Sequence, residues 1–265
     1  MLPLAPPDPA RLDPLLLLLA ALAADALVGD PPALFRRVPH PVALVGGSIA
    51  WLERILNRGD LDDGARRLRG IATVALTVAL AAAVGAAIDR AAAAFRWGGV
   101  VEIAALAVLV AQRSLFDHVA AVARGLESGG LAAGRSAVSH IVGRDPEHLD
   151  EHGVARAAIE SLAENFSDGV VAPVLWYLLL GLPGICAMKA INTLDNMIGH
   201  RSERYRAFGW AAARLDDAAN LLPARLAGVL VVLAATLLPG AGGGHALRAM
   251  LRDARKHRSP NAGWP

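Results

Sequence analysis

Cysteine is almost absent. Cys186 stands alone among 265 residues, so no intrachain disulfide and no cysteine-built zinc site can form. Lysine is nearly as scarce: Lys189 and Lys256 are the only ones. Neither is followed by Ser or Thr or preceded by the glycines of a Walker A loop, which excludes that nucleotide cradle. Charged residues make up only 19% of the chain and the formal net charge is +2. With no interleaving of aromatic and basic residues, nothing argues for a nucleic-acid partner. Uninterrupted apolar runs of membrane-span length are rare as well. Only residues 71–88 reach, unaided, the roughly 17–25 residues that a bilayer-crossing helix needs.

What remains is nevertheless apolar. Hydrophobic residues make up 55% of the chain and mean hydropathy is +0.43. They cluster at 15–29, 71–88, 100–111, 170–187 and 226–239, and Ala, Leu and Val fill the intervals too. Residues 1–265 are therefore expected to form a single integral membrane domain. The expected fold class is all-α: a polytopic helical membrane protein with short, broken or re-entrant apolar helices and cytoplasmic amphipathic helices. Arg11, the leucine run and Ala24-Asp25-Ala26 imitate a secretory signal with its cleavage site. A multi-span chain needs its first helix as an anchor, so retention is expected.

Arginine placement gives an orientation. Arg36, Arg37, Arg54, Arg58, Arg66, Arg67 and Arg69 separate the first two stretches, whereas 89–99 offers only Arg90 and Arg96. Positive-inside bias puts 30–70 in the cytoplasm, and the third stretch returns the chain there near Gln112. One ordinary crossing at 170–187 would then send Arg201, Arg204, Arg206, Arg214 and Arg225 outside, against the same bias. Pro173, Gly181, Pro183 and Gly184 interrupt that stretch. It is expected to dip in and turn back. The stretch at 226–239, followed by glycines and by Arg248, Arg252, Arg255, Lys256 and Arg258, is expected to do the same.

The residues able to do chemistry fall in three clusters. Glu160 and Glu164, spaced i, i+4, share a helical face with Arg156 one turn earlier. Asn165 and Asp168 follow as an apolar stretch begins, where polar groups are costly unless used. Such a set suits Mg²⁺, a hard ion that takes carboxylates, water and phosphate oxygens; a salt-bridged helix face is the plain alternative. At 189–200, Ala190, Ile191, Leu194, Met197 and Ile198 form an apolar stripe, with Lys189, Asn192, Asp195 and Asn196 opposite. Lys189, in a chain that otherwise uses arginine, suits a compact charge on phosphate; an amphipathic surface helix explains the pattern too. Arg214, Asp216 and Asp217, with Asn220 and Arg225, make the third cluster, whose adjacent carboxylates could complete a metal–nucleotide site; charge at a membrane surface explains it nearly as well. His148-Leu149-Asp150-Glu151-His152 matches a short zinc-peptidase pattern, but Asp145-Pro146 upstream reads as the start of a helix on a solvated surface. The glycines at 240–244 lack dinucleotide-loop spacing and read as a turn. A lone His118 beside Asp117 reads as a satisfied interfacial histidine.

Taken together, the motifs resemble the adenosylcobinamide-phosphate synthase family of cobalamin biosynthesis. They are D-P-P at 30–32, H-P-V at 40–42, S-L-F-D-H at 114–118, I-V-G-R-D at 141–145 and R-A-A-I-E-S-L-A-E-N-F-S-D-G-V-V-A-P at 156–173. K-A-I-N-T-L-D-N-M-I-G at 189–199, E-R-Y-R-A-F-G-W-A-A-A-R-L-D-D at 203–217, P-A-R-L at 223–226 and S-P-N-A-G-W-P at 259–265 complete the match. Met188 and Asn196 depart from the usual tyrosine and serine. Members of the family continue past the last motif, so the chain is expected to lack a C-terminal portion.

The resemblance implies ATP-dependent amide formation between adenosylcobyric acid and (R)-1-aminopropan-2-ol or its O-phosphate, with ATP and Mg²⁺ as cofactors. It implies Glu160, Glu164 and Asp168 on Mg²⁺, and Lys189, Arg201, Arg225 and Asn165 on the nucleotide. Asn192 and Asp195 would orient the carboxylate or the amine, and Asp216 or Asp217 would accept the amine proton. The expected partners are the corrinoid, the small amino alcohol and membrane lipid, with association among pathway proteins or copies of the chain left open. The implied location is the bacterial cytoplasmic (inner) membrane, multi-pass, with the active site facing the cytoplasm. A non-catalytic membrane regulator and a transporter are the alternatives.

Overall fold

The computed structural model describes residues 13–265 apart from 144, 241 and 258. Arg11, Arg144 and Arg258, which entered the sequence reading, lie outside the described residues. Among the described residues every regular element is helical, as the composition predicts.

The spine is α4, Asp63–Ala93, a helix of 31 residues. At about 1.5 Å per residue it exceeds the roughly 30 Å of a hydrocarbon core. Asp62 caps it by accepting the Ala65 N–H at 2.9 Å, which satisfies a donor the first helical turn leaves free. Gly70, Thr73, Val74, Thr77 and Gly85 are buried on one face, while Leu76, Leu80 and Val84 are exposed on another. That is the pattern of a helix packed through small residues, with large apolar ones left for lipid. By length and composition α4, residues Gly98–Val138 and residues Glu151–Ile198 are candidates for crossing a membrane. A fourth is the pair α9, Trp210–Ala219, and α10, Leu221–Leu237, bent by 46°. The chain is thus a polytopic helical membrane protein.

Against α4 packs α8, Ala172–Ile198, and here the fourth apolar stretch turns back as expected. Gly181 has φ 69°, ψ −154°, outside helical geometry and in the half of the map that glycine enters freely. A Cβ on Gly184 would lie 2.2 Å from the carbonyl oxygen of Trp176, although eight residues of straight helix would separate the two by about 12 Å. The arms 172–180 and 182–198 therefore lie side by side. Gly85 sits against the Leu182 carbonyl and Gly70 against that of Phe208, where Cβ atoms would approach to 2.6 and 1.8 Å. The return arm thus runs antiparallel to α4 and delivers residues 199–209 to the end where α4 starts. There Arg204 pairs with Glu53 at 2.9 Å and Arg206 with Asp63 at 3.1 Å. The arginine-rich segments that positive-inside bias demanded on one side are on one side. The stripe Ala190, Ile191, Leu194 and Ile198 is buried on this return arm, so it belongs to the bundle core and not to a separate surface helix.

The first helix, α1, Pro14–Val28, belongs to the same bundle. It joins α5, Gly98–Leu109, and α8 in a core of Leu18, Ala21, Leu106, Leu109, Tyr177 and Ile185. Asp25, centre of the imitation cleavage site, is buried and accepts the N–H groups of Gln112 and Arg113 at 3.0 and 3.1 Å. It caps α6, Gln112–Val138. After α1 come α2, Pro32–Phe35, and α3, Pro41–Leu56, the latter capped by His40. Gly130 breaks α6 as Gly181 breaks α8, with φ 68°, ψ −167°. With 12 residues, α5 is too short to cross a bilayer alone. The fifth apolar stretch returns by a different device: α10 is unbroken, and α11, Gly243–Asp253, packs back along it, Gly243 beside Thr236 and Gly228 beside Met250.

Candidate functional site

The two arms of α8 open towards the arginine-rich end, and the polar residues gather at that mouth. The outbound arm is reached through α7, Glu151–Phe166, and a π-helical turn, Ser167–Val171. Such turns inside longer helices frequently mark functional positions; this one carries Asp168. Asp168 lies in the fields of Glu164, Asp195 and Lys189. Lys189, on the return arm, faces Asp30 as well as Asp168. Asp195, two turns further on, neighbours Asp217, His200 and Glu164. Asp216 on α9 neighbours Asp195, Asp168 and Asp217. Three segments distant in sequence thus close on one another around the hairpin.

Two observations mark the mouth as a place for a ligand. Its carboxylates outnumber its cations: Lys189 lies in the fields of Asp30 and Asp168, while Glu164, Asp195, Asp216 and Asp217 crowd Asp168 and one another. Ser167 and Asn220, 2% and 1% exposed, are buried beside Asp168 and Asp216 respectively, in geometry too poor for a full hydrogen bond. Buried polar groups left incompletely bonded are costly, so these side chains suit a polar ligand. Hard carboxylate oxygens fit Mg²⁺. Among the described residues no three His, Cys, Asp or Glu side chains stand close enough to hold a metal by themselves. Magnesium shared with a nucleotide takes only one or two protein carboxylates, and water and phosphate oxygens complete the shell.

Other sequence candidates fall at varying distance from this centre. Glu160 is exposed on α7, one turn before Glu164 and on the same face. Asn165 donates to Ser161 O and Oγ at 2.8 and 3.1 Å. It lines a separate cleft of about 370 Å³ with Ser114, His118, His140 and Gly169. Asn192 accepts from Asn196 at 3.2 Å. Arg201 is exposed in the loop after α8. Arg225 reaches Asn261 Oδ1 at 3.2 Å and lies on the far side of α9's end. The zinc-peptidase pattern dissolves: Asp150 caps α7 by accepting the Gly153 N–H at 2.7 Å. His148 therefore precedes the helix that His152 belongs to, and the two cannot share a helical face.

Asp30 is the residue the sequence reading passed over. It follows the left-handed turn at Gly29 that ends α1, lies 3.8 Å from His40 Nε2 and faces Lys189. Its signal was present in the D-P-P and H-P-V motifs, whose partnership needs the fold to become visible.

The family model described as CobD/Cbib protein matches residues 18–265. The cobalamin biosynthesis protein CobD of a Sinorhizobium species is 53% identical over 253 residues, covering 95% of this chain and 78% of its own length. Those of Brucella suis and Rhodobacter capsulatus are 52% and 51% identical, over 95% and 94% of this chain and 77% of each relative. No solved structure matches. A match across nearly the whole chain, with identities near one half, shows that the chain belongs to the CobD/CbiB family that its motifs resembled.

Proposed function

We propose that the chain is a membrane enzyme of cobalamin biosynthesis that joins adenosylcobyric acid to (R)-1-aminopropan-2-ol or its O-phosphate by ATP-dependent amide formation. The observation that carries this reading is the mouth of the α8 hairpin, where Lys189 stands among carboxylates beside buried, incompletely bonded polar side chains.

A carboxylate does not acylate an amine at neutral pH. Its oxygen must first take the γ-phosphoryl group of ATP, giving an acyl phosphate and ADP. The amine nitrogen then attacks the acyl carbon, phosphate leaves, and one amine proton passes to a base. The first step is mostly positioning and charge stabilisation. Lys189 supplies a point charge to the transferring phosphoryl oxygens, and Arg201, exposed in the loop after α8, meets the remaining nucleotide; Asn165 and Arg225 line recesses of their own beside the mouth. One or two of Glu160, Glu164 and Asp168 would hold Mg²⁺, which when bound would neutralise phosphate charge. Asn192 and Asp195 orient the reacting carboxylate or amine. Asp216 or Asp217 accepts the amine proton. Positive-inside bias supports a cytoplasmic mouth in a bacterial inner membrane, where ATP is available.

A broken hairpin with polar residues at its opening also suits a transporter. Phosphate release by the purified chain in lipid nanodiscs separates the readings. Release is expected to require adenosylcobyric acid and the amine together, with one amide formed per ATP. ATP hydrolysis that ignores the corrinoid, or corrinoid movement without amide, would contradict the proposal.

A further inference from the structure

A second recess opens beside the carboxylates, on the side of α9 facing the end of the chain. Its volume is about 570 Å³, and Arg214, Arg225, Arg255, His257, Ser259 and Trp264 line it, with no acidic residue among the described ones. Its walls are tightly built. Ser259 Oγ accepts the N–H groups of Asn261 and Ala262 at 3.2 and 3.3 Å, closing a turn. From that turn Asn261, 7% exposed, donates to the Asp217 carbonyl at 2.8 Å and accepts from Arg225 at 3.2 Å. Cβ atoms on Gly228 and Gly263 would each lie 2.4 Å from a backbone carbonyl oxygen, Trp264's and Ala254's respectively. Arg225 lies over the Trp264 ring at 4.7 Å.

The cations are incompletely neutralised. Arg214 meets Asp217 only at 3.4 Å. Asp253 is occupied by Arg252 and Lys256 at 2.7 and 2.6 Å, and both hold its carboxyl well below the usual range. Arg255 pairs with no carboxylate among the described residues. Three guanidiniums around a recess without an acid form an anion site, and their planar forks match phosphoryl oxygens.

We propose that this recess is a phosphoryl-binding subsite, with Arg214, Arg225 and Arg255 as its contacts, for a phosphate monoester or anhydride that meets the carboxylate mouth across α9. The choice of ligands rests on the amide-forming reading. Two of its substrates carry the group: ATP, and the O-phosphate of the amino alcohol.

The test is calorimetric titration of the full chain in nanodiscs, with Mg-ATP, with (R)-1-aminopropan-2-ol O-phosphate and with the unphosphorylated amine. Arg214→Gln and Arg255→Gln should each weaken one of the two phosphate ligands roughly ten- to hundredfold, the value of one charge-assisted bond. The unphosphorylated amine should bind as before. Loss confined to Mg-ATP assigns the recess to the nucleotide; loss confined to the amine phosphate assigns it to that substrate and makes the phosphorylated amine the true one. Both ligands within about twofold of wild type would overturn the proposal. Arg255 is exposed, so its variant tests binding without threatening the fold, and Arg255→Lys should fall between. Titration needs no turnover. An unaffected variant in a chain that still makes amide defeats the subsite alone, whereas binding without amide defeats the reaction alone.

Discussion

Glu164→Gln is expected to lower amide formation by a factor on the order of 10²–10³, the cost of losing one electrostatic stabiliser in a prearranged site. The substitution keeps shape and removes a charge whose field reaches both Asp168 and Asp195. Excess Mg²⁺ should recover part of the loss, because weakened metal affinity yields to concentration. Lys189→Met should be as damaging and insensitive to Mg²⁺, since its missing charge lies on the protein side of the phosphate. Lys189→Arg should rescue only in part: a planar fork does not replace a compact ammonium facing Asp30 and Asp168. His148→Ala should keep nearly full rate, because His148 lies before α7 and away from the mouth. Steady-state rates across a Mg²⁺ series decide among these. Normal turnover by both Glu164→Gln and Lys189→Met would remove the site assigned here.

Gly184→Ala is expected to destabilise the fold strongly. Alanine favours helix over glycine by up to about 1 kcal/mol, so propensity alone predicts stabilisation. The added Cβ, however, would meet the Trp176 carbonyl oxygen at 2.2 Å and Leu180 Cβ at 2.7 Å. The first is backbone and cannot swing aside, so the arms of the hairpin must separate. Overpacking of this kind costs about 3 kcal/mol, and the separation would also displace Lys189 from Asp168. Gly47→Ala, with nothing within 4 Å of its Cβ, is the control and should be neutral or slightly stabilising. Thermal unfolding in one detergent compares the two; equal melting temperatures would contradict the hairpin.

Much of this was legible along the chain. The run at 71–88 announced α4, and periodicity at 190–198 announced the buried stripe of the return arm. The turn at Gly181 followed from a conflict: hydropathy asked for a crossing, while Arg201, Arg204 and Arg206 asked to stay on the side of Arg66. What periodicity cannot give is the partner. It shows that Asp25 is on a helix, not that its carboxylate caps α6, so the residue read as part of a cleavage pattern. Asp30 was invisible for the same reason: it faces a lysine brought close only when the return arm packs along α4. Arg225 was read as a nucleotide contact at the acidic centre. Its bond to Asn261 draws it instead to a recess walled by the last motif, whose Ser259 turn had no meaning until it folded against α9 and α10.

The central claim is that ATP activates the corrinoid carboxylate as an acyl phosphate at the hairpin mouth. Adenosylcobyric acid labelled with ¹⁸O in the reacting carboxylate tests this most directly, with mass spectrometry of the released phosphate after amide formation. The account predicts one ¹⁸O carried from the carboxylate into inorganic phosphate for each amide made, alongside ADP. Label appearing in AMP, or amide formed with unlabelled phosphate, would contradict it.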